Sequence, residues 1–185
     1  EMLDWAEALF KTRLAKDDPQ GNCLPSGIPR GNPYPWRFVQ DRTHTAAERI
    51  YVLYEGNIHS FRQIFMNQEH PKDLNPTWYG HSVGKWVGDE LVVDTVGFLP
   101  GVLIPIVGVM HSGEMHVVER FTRTAPGTIQ YQFTVEDKGT WQKPWTGEIM
   151  LGPAPGQIYE YACHEGNYGM ANILSGARAT EKRGR

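Results

Sequence analysis

Hydrophobic and polar positions follow two different periods along the chain. Between residues 3 and 15, Leu3, Ala6, Leu9, Phe10 and Leu14 recur at helical spacing, with Asp4 near the start and Lys11 and Arg13 near the end. Acidic residues early and basic residues late suit the helix dipole, so the pattern predicts one amphipathic helix. Residues 17–35 lose this periodicity. Pro25, Pro29, Pro33 and Pro35 fall among Asp and Gly, and proline withholds the backbone donor that regular structure needs, which predicts an extended arm.

Beyond the arm the period shortens to two. Runs at 36–40, 50–55, 59–66, 91–96, 116–124, 128–135, 145–151 and 157–163 have β character and are punctuated by Glu55-Gly56-Asn57, Val87-Gly88-Asp89 and Ala125-Pro126-Gly127. Residues 80–84 read as a further turn. In the run at 128–135, Ile129, Tyr131, Phe133 and Val135 face one way while Gln130, Gln132 and Thr134 face the other, giving one buried and one wet side. The run before it is mixed: Val117, Glu119 and Phe121 share one face, and His116, Val118 and Arg120 share the other. Helical crossovers are missing from this pattern, which predicts antiparallel pairing. With about eight strands, the expected fold is mainly β: a single antiparallel barrel, with a β-sandwich as the alternative. The expected organisation is an N-terminal helix and Pro-rich arm over 1–35, the barrel over 36–168, and a C-terminal tail over 169–185.

Composition narrows the classes of function. The 185 residues suffice for one domain with a real core. With 18 Lys and Arg against 21 Asp and Glu, the net charge of −3 offers no electrostatic footprint for nucleic acid. No apolar run approaches the ~20 residues of a membrane-spanning helix; the longest candidate, 102–110, is interrupted by Pro105 and Gly108. Cys23 and Cys163 are isolated from each other and lack CxxC spacing, a pattern that suits one disulfide better than zinc, the alternative being two buried thiols.

The densest concentration of reactive side chains is Tyr161-Ala162-Cys163-His164-Glu165-Gly166-Asn167-Tyr168. Together with Glu55, His59, His116 and Glu119 on other runs, His164 and Glu165 are candidates for acid–base catalysis, because aromatic surroundings raise a carboxylate toward neutrality and an imidazole already titrates there. Arg62, Arg120, Tyr54, Tyr161, Trp141 and Tyr168 are the candidates for orienting a substrate. His59, His116 and His164 come from three separate runs. Were they to converge, they would form an open tripod for zinc or copper; the plainer expectation is no cofactor, with histidines hydrogen-bonded to carboxylates. Nucleophilic catalysis has little support, since Gly80-His81-Ser82-Val83-Gly84 leads into a strand and not a helix. Aromatic residues such as Trp36, Tyr34 and Trp145 border the strand ends, as rings at a pocket mouth would, while Trp86 is assigned to the barrel floor.

The stretches GHSVGKWVGDELVVDTVGF (80–98), EMHVVERFTRTAPGTIQYQFTVED (114–137), TWQKPWTGEI (140–149) and YEYACHEGNYGMANILSGARATE (159–181) resemble a large uncharacterised family of secreted bacterial proteins, common in soil bacteria. The resemblance implies a periplasmic or secreted location, and its Trp86, Gly88-Asp89 and alternating 91–95 pattern is similar to lipocalin-like, calycin-type barrels. Unlike that family, this chain carries an apolar loop at 99–110, expected to act as a lid or as a contact in a homo-oligomer. Three functions follow as expectations. The first is an exported enzyme of lyase, isomerase or hydrolase type, acting through His and Glu on an apolar, aromatic or carbohydrate-like small molecule. The second is a non-catalytic carrier of a hydrophobic ligand, and the third is a histidine-coordinated metal enzyme.

Overall fold

A computed structural model describes residues 1–14, 17–41, 48–56, 61–100, 103–104, 109–163, 166 and 168–184. The fold is mainly β. Eight strands form one curled sheet, a half-barrel, in the order β1 (Trp36–Asp41), β2 (Arg49–Tyr54), β3 (Phe61–Met66), β4 (His81–Val87), β5 (Glu90–Val96), β8 (His116–Ala125), β9 (Thr128–Glu136) and β10 (Trp145–Leu151). A two-residue ladder joins β6 (Leu103–Ile104) to β7 (Val109–Met110) outside that sheet. Helix α1 (Asp4–Thr12) precedes the arm, and α2 (Gly169–Arg183) ends the described chain.

The sheet is mixed, which corrects the expectation of a purely antiparallel one. Strands β3 and β4 pair in parallel, with Ile64 opposite Ser82 and Met66 opposite Gly84. The parallel step exists because residues 80–84, read from sequence as a turn, instead open β4. Gly84 explains the misreading. A Cβ there would lie 2.7 Å from Ile64 Cγ2 and 2.8 Å from Met66 Sδ, so the glycine marks a close approach of neighbouring strands and not a reversal of the chain. The run at 157–163 is also corrected. It forms no strand but crosses as an irregular strap, tied by Tyr159 N–H donating to Glu55 Oε2 at 3.4 Å and by the Cys23–Cys163 disulfide.

The inward face is set by period-two alternation. Ile50 and Val52 from β2, Ile64 from β3, Leu91 and Val93 from β5, Val117 and Phe121 from β8, and Tyr131, Phe133 and Val135 from β9 form a continuous buried core. The arm belongs to it as well. Ile28 joins the core and Asn32 is buried, while Arg30 donates two hydrogen bonds to the Asp18 carboxylate at 2.6 and 2.8 Å and so fixes the path of the proline-rich chain. Helix α1 is tied to the connection between β9 and β10: Leu3 N–H donates to Thr140 O at 2.9 Å and the Trp5 indole to Gly139 O at 3.1 Å. In contrast, α2 buries none of its side chains.

Candidate functional site

The two ends of the sheet, β1 and β10, border a cavity of about 850 Å³. Its walls are aromatic and aliphatic: Trp36 and Phe38 from β1, Leu91 from β5, Phe121 from β8, Ile129 from β9, and Ile149 and Leu151 from β10. These positions point inward because each shares strand parity with the core. Trp36 and Phe38 pack with ring centres 4.4 Å apart, and both meet Phe121, at 5.9 and 5.3 Å, so the first strand curls over the middle of the sheet. Arm residues 32–35 and loop residues 152–154 complete the lining. Its charged members are both exposed: Asp89 lies in the turn between β4 and β5, and Arg123 near the end of β8.

Beside the cavity lies a buried ion pair. Arg62 Nη2 donates to Glu119 Oε2 at 2.5 Å and to Thr95 Oγ1 at 2.8 Å, and Arg62 Nε donates to Ser82 Oγ at 2.9 Å. Glu119 Oε1 accepts from Asn32 Nδ2 and from the Tyr131 hydroxyl, both at 2.9 Å. The Tyr54 hydroxyl donates to Asn32 Oδ1 at 3.2 Å, and its ring stacks on Tyr79. Arg62 is 2% and Glu119 0% exposed. Burial opposes the charge on Arg62, but the adjacent Glu119 carboxylate outweighs it and keeps the guanidinium protonated. Burial, reinforced by Glu119, pushes the Tyr131 hydroxyl far above its usual range, and burial raises Tyr54 as well. Both phenols therefore act as neutral hydrogen-bond donors.

The residues singled out from sequence are dispersed. Glu119 is sealed in the core, and His116 lies on the outer face, where its Nε2 meets Asp94 Oδ2 at 3.0 Å. This division follows from parity, since positions 116 and 119 take opposite faces. Glu55 directly follows β2 and holds the strap. His59, His164 and Glu165 lie outside the described residues, as do residues 101–102 and 105–108 of the 99–110 loop, and among the described residues no group of three or more His, Cys, Asp or Glu is placed to hold a metal ion. Of the expected orienting groups, Arg62 and Tyr54 belong to the buried network. Arg120 pairs on the outer face with Glu90 at 2.5 Å. Trp141 packs against Trp145, 5.4 Å between centres, on the α1 side. Tyr161 and Tyr168 are exposed.

Trp86 is not a floor residue: it is 52% exposed and lines the cavity mouth, because it is the last inward position of β4 before the turn. Sequence reasoning missed Asn32, Ser82, Thr95 and Tyr131. Their signal was present, since Thr95 continues the inward parity of Leu91 and Val93, and a polar group on an apolar face calls for a partner. No helix among the described residues is long and apolar enough to cross a membrane. Comparison with known proteins finds no matching family model, no matching curated protein and no matching solved structure.

Proposed function

We propose that the protein binds a flat, largely apolar small molecule in the half-barrel cavity and acts as a carrier, not a catalyst. One observation carries this reading: the lining is aromatic and aliphatic, with charge confined to the rim at Asp89 and Arg123. A cavity of about 850 Å³ falls in the range that takes drug-sized ligands. Trp36, Phe38, Phe121 and Trp86 offer rings against which a planar molecule can stack. The alternative, acid–base catalysis, would need a carboxylate free to meet substrate, whereas both oxygens of Glu119 are already engaged by protein donors. The lipocalin-like character inferred from the sequence motifs agrees with carriage in a barrel-like cavity. Export agrees with the Cys23–Cys163 bridge, because disulfides persist in oxidising compartments.

The test is a titration with a neutral polycyclic aromatic probe, followed by quenching of the Trp36 and Trp86 fluorescence. Saturable binding is expected, and Ile149→Trp, which fills the cavity, should weaken it at least about tenfold while leaving the thermal transition cooperative. Equal affinity in the filled variant would remove the cavity from consideration.

A further inference from the structure

A second cluster of ionisable groups lies on the outer face of the sheet, remote in role from the cavity. His70, in the connection of residues 67–80 between β3 and β4, places its Nδ1 2.9 Å from His81 Nδ1 on β4 and its Nε2 3.0 Å from Asp94 Oδ1 on β5. His116 on β8 approaches the other Asp94 oxygen. The ring of His81 stacks on Phe65 with centres 4.8 Å apart.

Proton counting constrains this arrangement. A carboxylate only accepts, so the His70 nitrogen facing Asp94 carries a hydrogen. Two ring nitrogens 2.9 Å apart hold one hydrogen between them. When His70 is neutral, His81 donates to it; when His70 is an imidazolium paired with Asp94, it donates to His81. Both states preserve the contact. A second proton on the pair would put N–H against N–H and cation against cation, and the contact would break. We propose that His70 and His81 form a latch, closed while they carry at most one charge between them and opened by acid, that pins the 67–80 connection to the sheet.

The surroundings favour opening over accommodation of a second charge. Asp94 is the anion in direct contact, and it is shared with His116. Glu136 on β9 stands across from His116, and Glu69 adjoins His70 in the chain. Lys85 continues the outer face of β4 four residues beyond His81, and Arg49 on β2 lies over the Phe65 ring, 5.1 Å from its centre. Partial burial and then the neighbouring His70 lower the affinity of His81 for a proton. Among the described residues, the backbone hydrogen bonds that tie the connection lie near its ends. Asn67 N–H donates to Gly84 O at 2.8 Å, and Thr77 exchanges backbone hydrogen bonds with Gly97 and Leu99. Between those ties His70 and Leu74 are the partly buried positions of an otherwise exposed stretch, and of the two only His70 is held by a group that titrates.

The experiment is amide hydrogen exchange, corrected for intrinsic rates, at about pH 7.5 and about pH 4.5. In the unaltered protein, the amides of Asn67 and Thr77, which donate to Gly84 O and Gly97 O on either side of His70, should lose at least about tenfold in protection on acidification, while those of β5 and β8 stay protected. His81→Gln removes the titration but not the hydrogen bond, since an amide can donate to neutral His70 or accept from its imidazolium; protection of Asn67 and Thr77 should then be flat with pH. His70→Gln should behave likewise and serves if the first variant folds poorly. Parallel loss in the unaltered protein and both variants, or protection maintained in the unaltered protein at the lower pH, would overturn the latch.

Discussion

Arg62 and Glu119 are each stripped of water, and their attraction is supported by Ser82, Thr95, Asn32 and Tyr131, which take up most of the remaining hydrogen-bonding capacity and leave Arg62 Nη1 without a partner among the described residues. Such a pair contributes little net stability over an apolar replacement, yet it is costly to break. Glu119→Gln keeps the shape but leaves the guanidinium without its counter-charge. The expected loss is about 3–5 kcal/mol, read as a fall in Tm of roughly 6–20 °C for a domain of this size. Combining Arg62→Met with Glu119→Leu should recover part of that loss, and a double variant as unstable as the single one would show that charge is not the issue. Histidine gives a second residue-level expectation. Burial lowers His111, which packs edge-on to Phe98, and lowers His81 below the ordinary value of 6.5. Above about pH 6.5 both are neutral whether the chain is folded or not, and they contribute no pH dependence. Below it the unfolded chain takes up protons that the folded one refuses, so stability should decline as the pH drops from about 6.5 toward the lowered folded values and then level off. Urea midpoints measured across that window check the sign.

At the scale of elements, the half-barrel curls where side chains are missing. Gly84 lets β3 and β4 approach, and on the far side Gly147 sits opposite Phe133, whose ring occupies the space a side chain would take. Gly84→Ala forces its new methyl against Ile64 Cγ2, which is held by branching, and against Met66 Sδ, which can move. The expected cost is about 1–3 kcal/mol, measured as a lower denaturation midpoint; a neutral effect would mean that the strands separate freely. The same glycine shows what the sequence conceals. Seven of the eight sheet strands were legible from period-two alternation, which put Glu119 and His116 on opposite faces without saying which of the two faces the core. Strand β4 was not, because His81-Ser82-Val83-Gly84 presents turn-like residues whose reason is a contact with strands distant in sequence. Residues 157–163 misled in the opposite direction, since alternation fixes faces but cannot supply a partner strand. Helix α2 went unread for a related reason: it buries none of its side chains, so packing leaves little imprint on its residues. The candidate site divides along the same line. The aromatic mouth was expected from composition, whereas the sealing of Glu119 depends on Asn32, which reaches it across 87 positions of chain.

At the scale of the whole molecule, the cavity is bounded by β1 and β10, the two ends of the sheet, and non-strand chain completes its lining: arm residues 32–35 and loop residues 152–154. The Cys23–Cys163 disulfide links the arm to the strap that follows that loop and closes a separation of 140 residues. Constraining so long a loop removes much of the unfolded chain's freedom, about 4–5 kcal/mol on the chain-entropy model. The bridge also has a local role, because arm and strap both depend on it for their position while the Asp18–Arg30 pair fixes only the arm. Replacing Cys23 and Cys163 together by Ser should therefore have two separable effects: a stability loss of about 4–5 kcal/mol in urea titration, and affinity for a polycyclic probe at least about tenfold weaker under conditions where the variant is fully folded. Loss of stability with unchanged affinity would assign the bridge to the unfolded state alone. Unchanged stability would mean that the arm is held by its own contacts, with Ile28 in the core and Asn32 on Glu119 sufficient to keep the half-barrel closed.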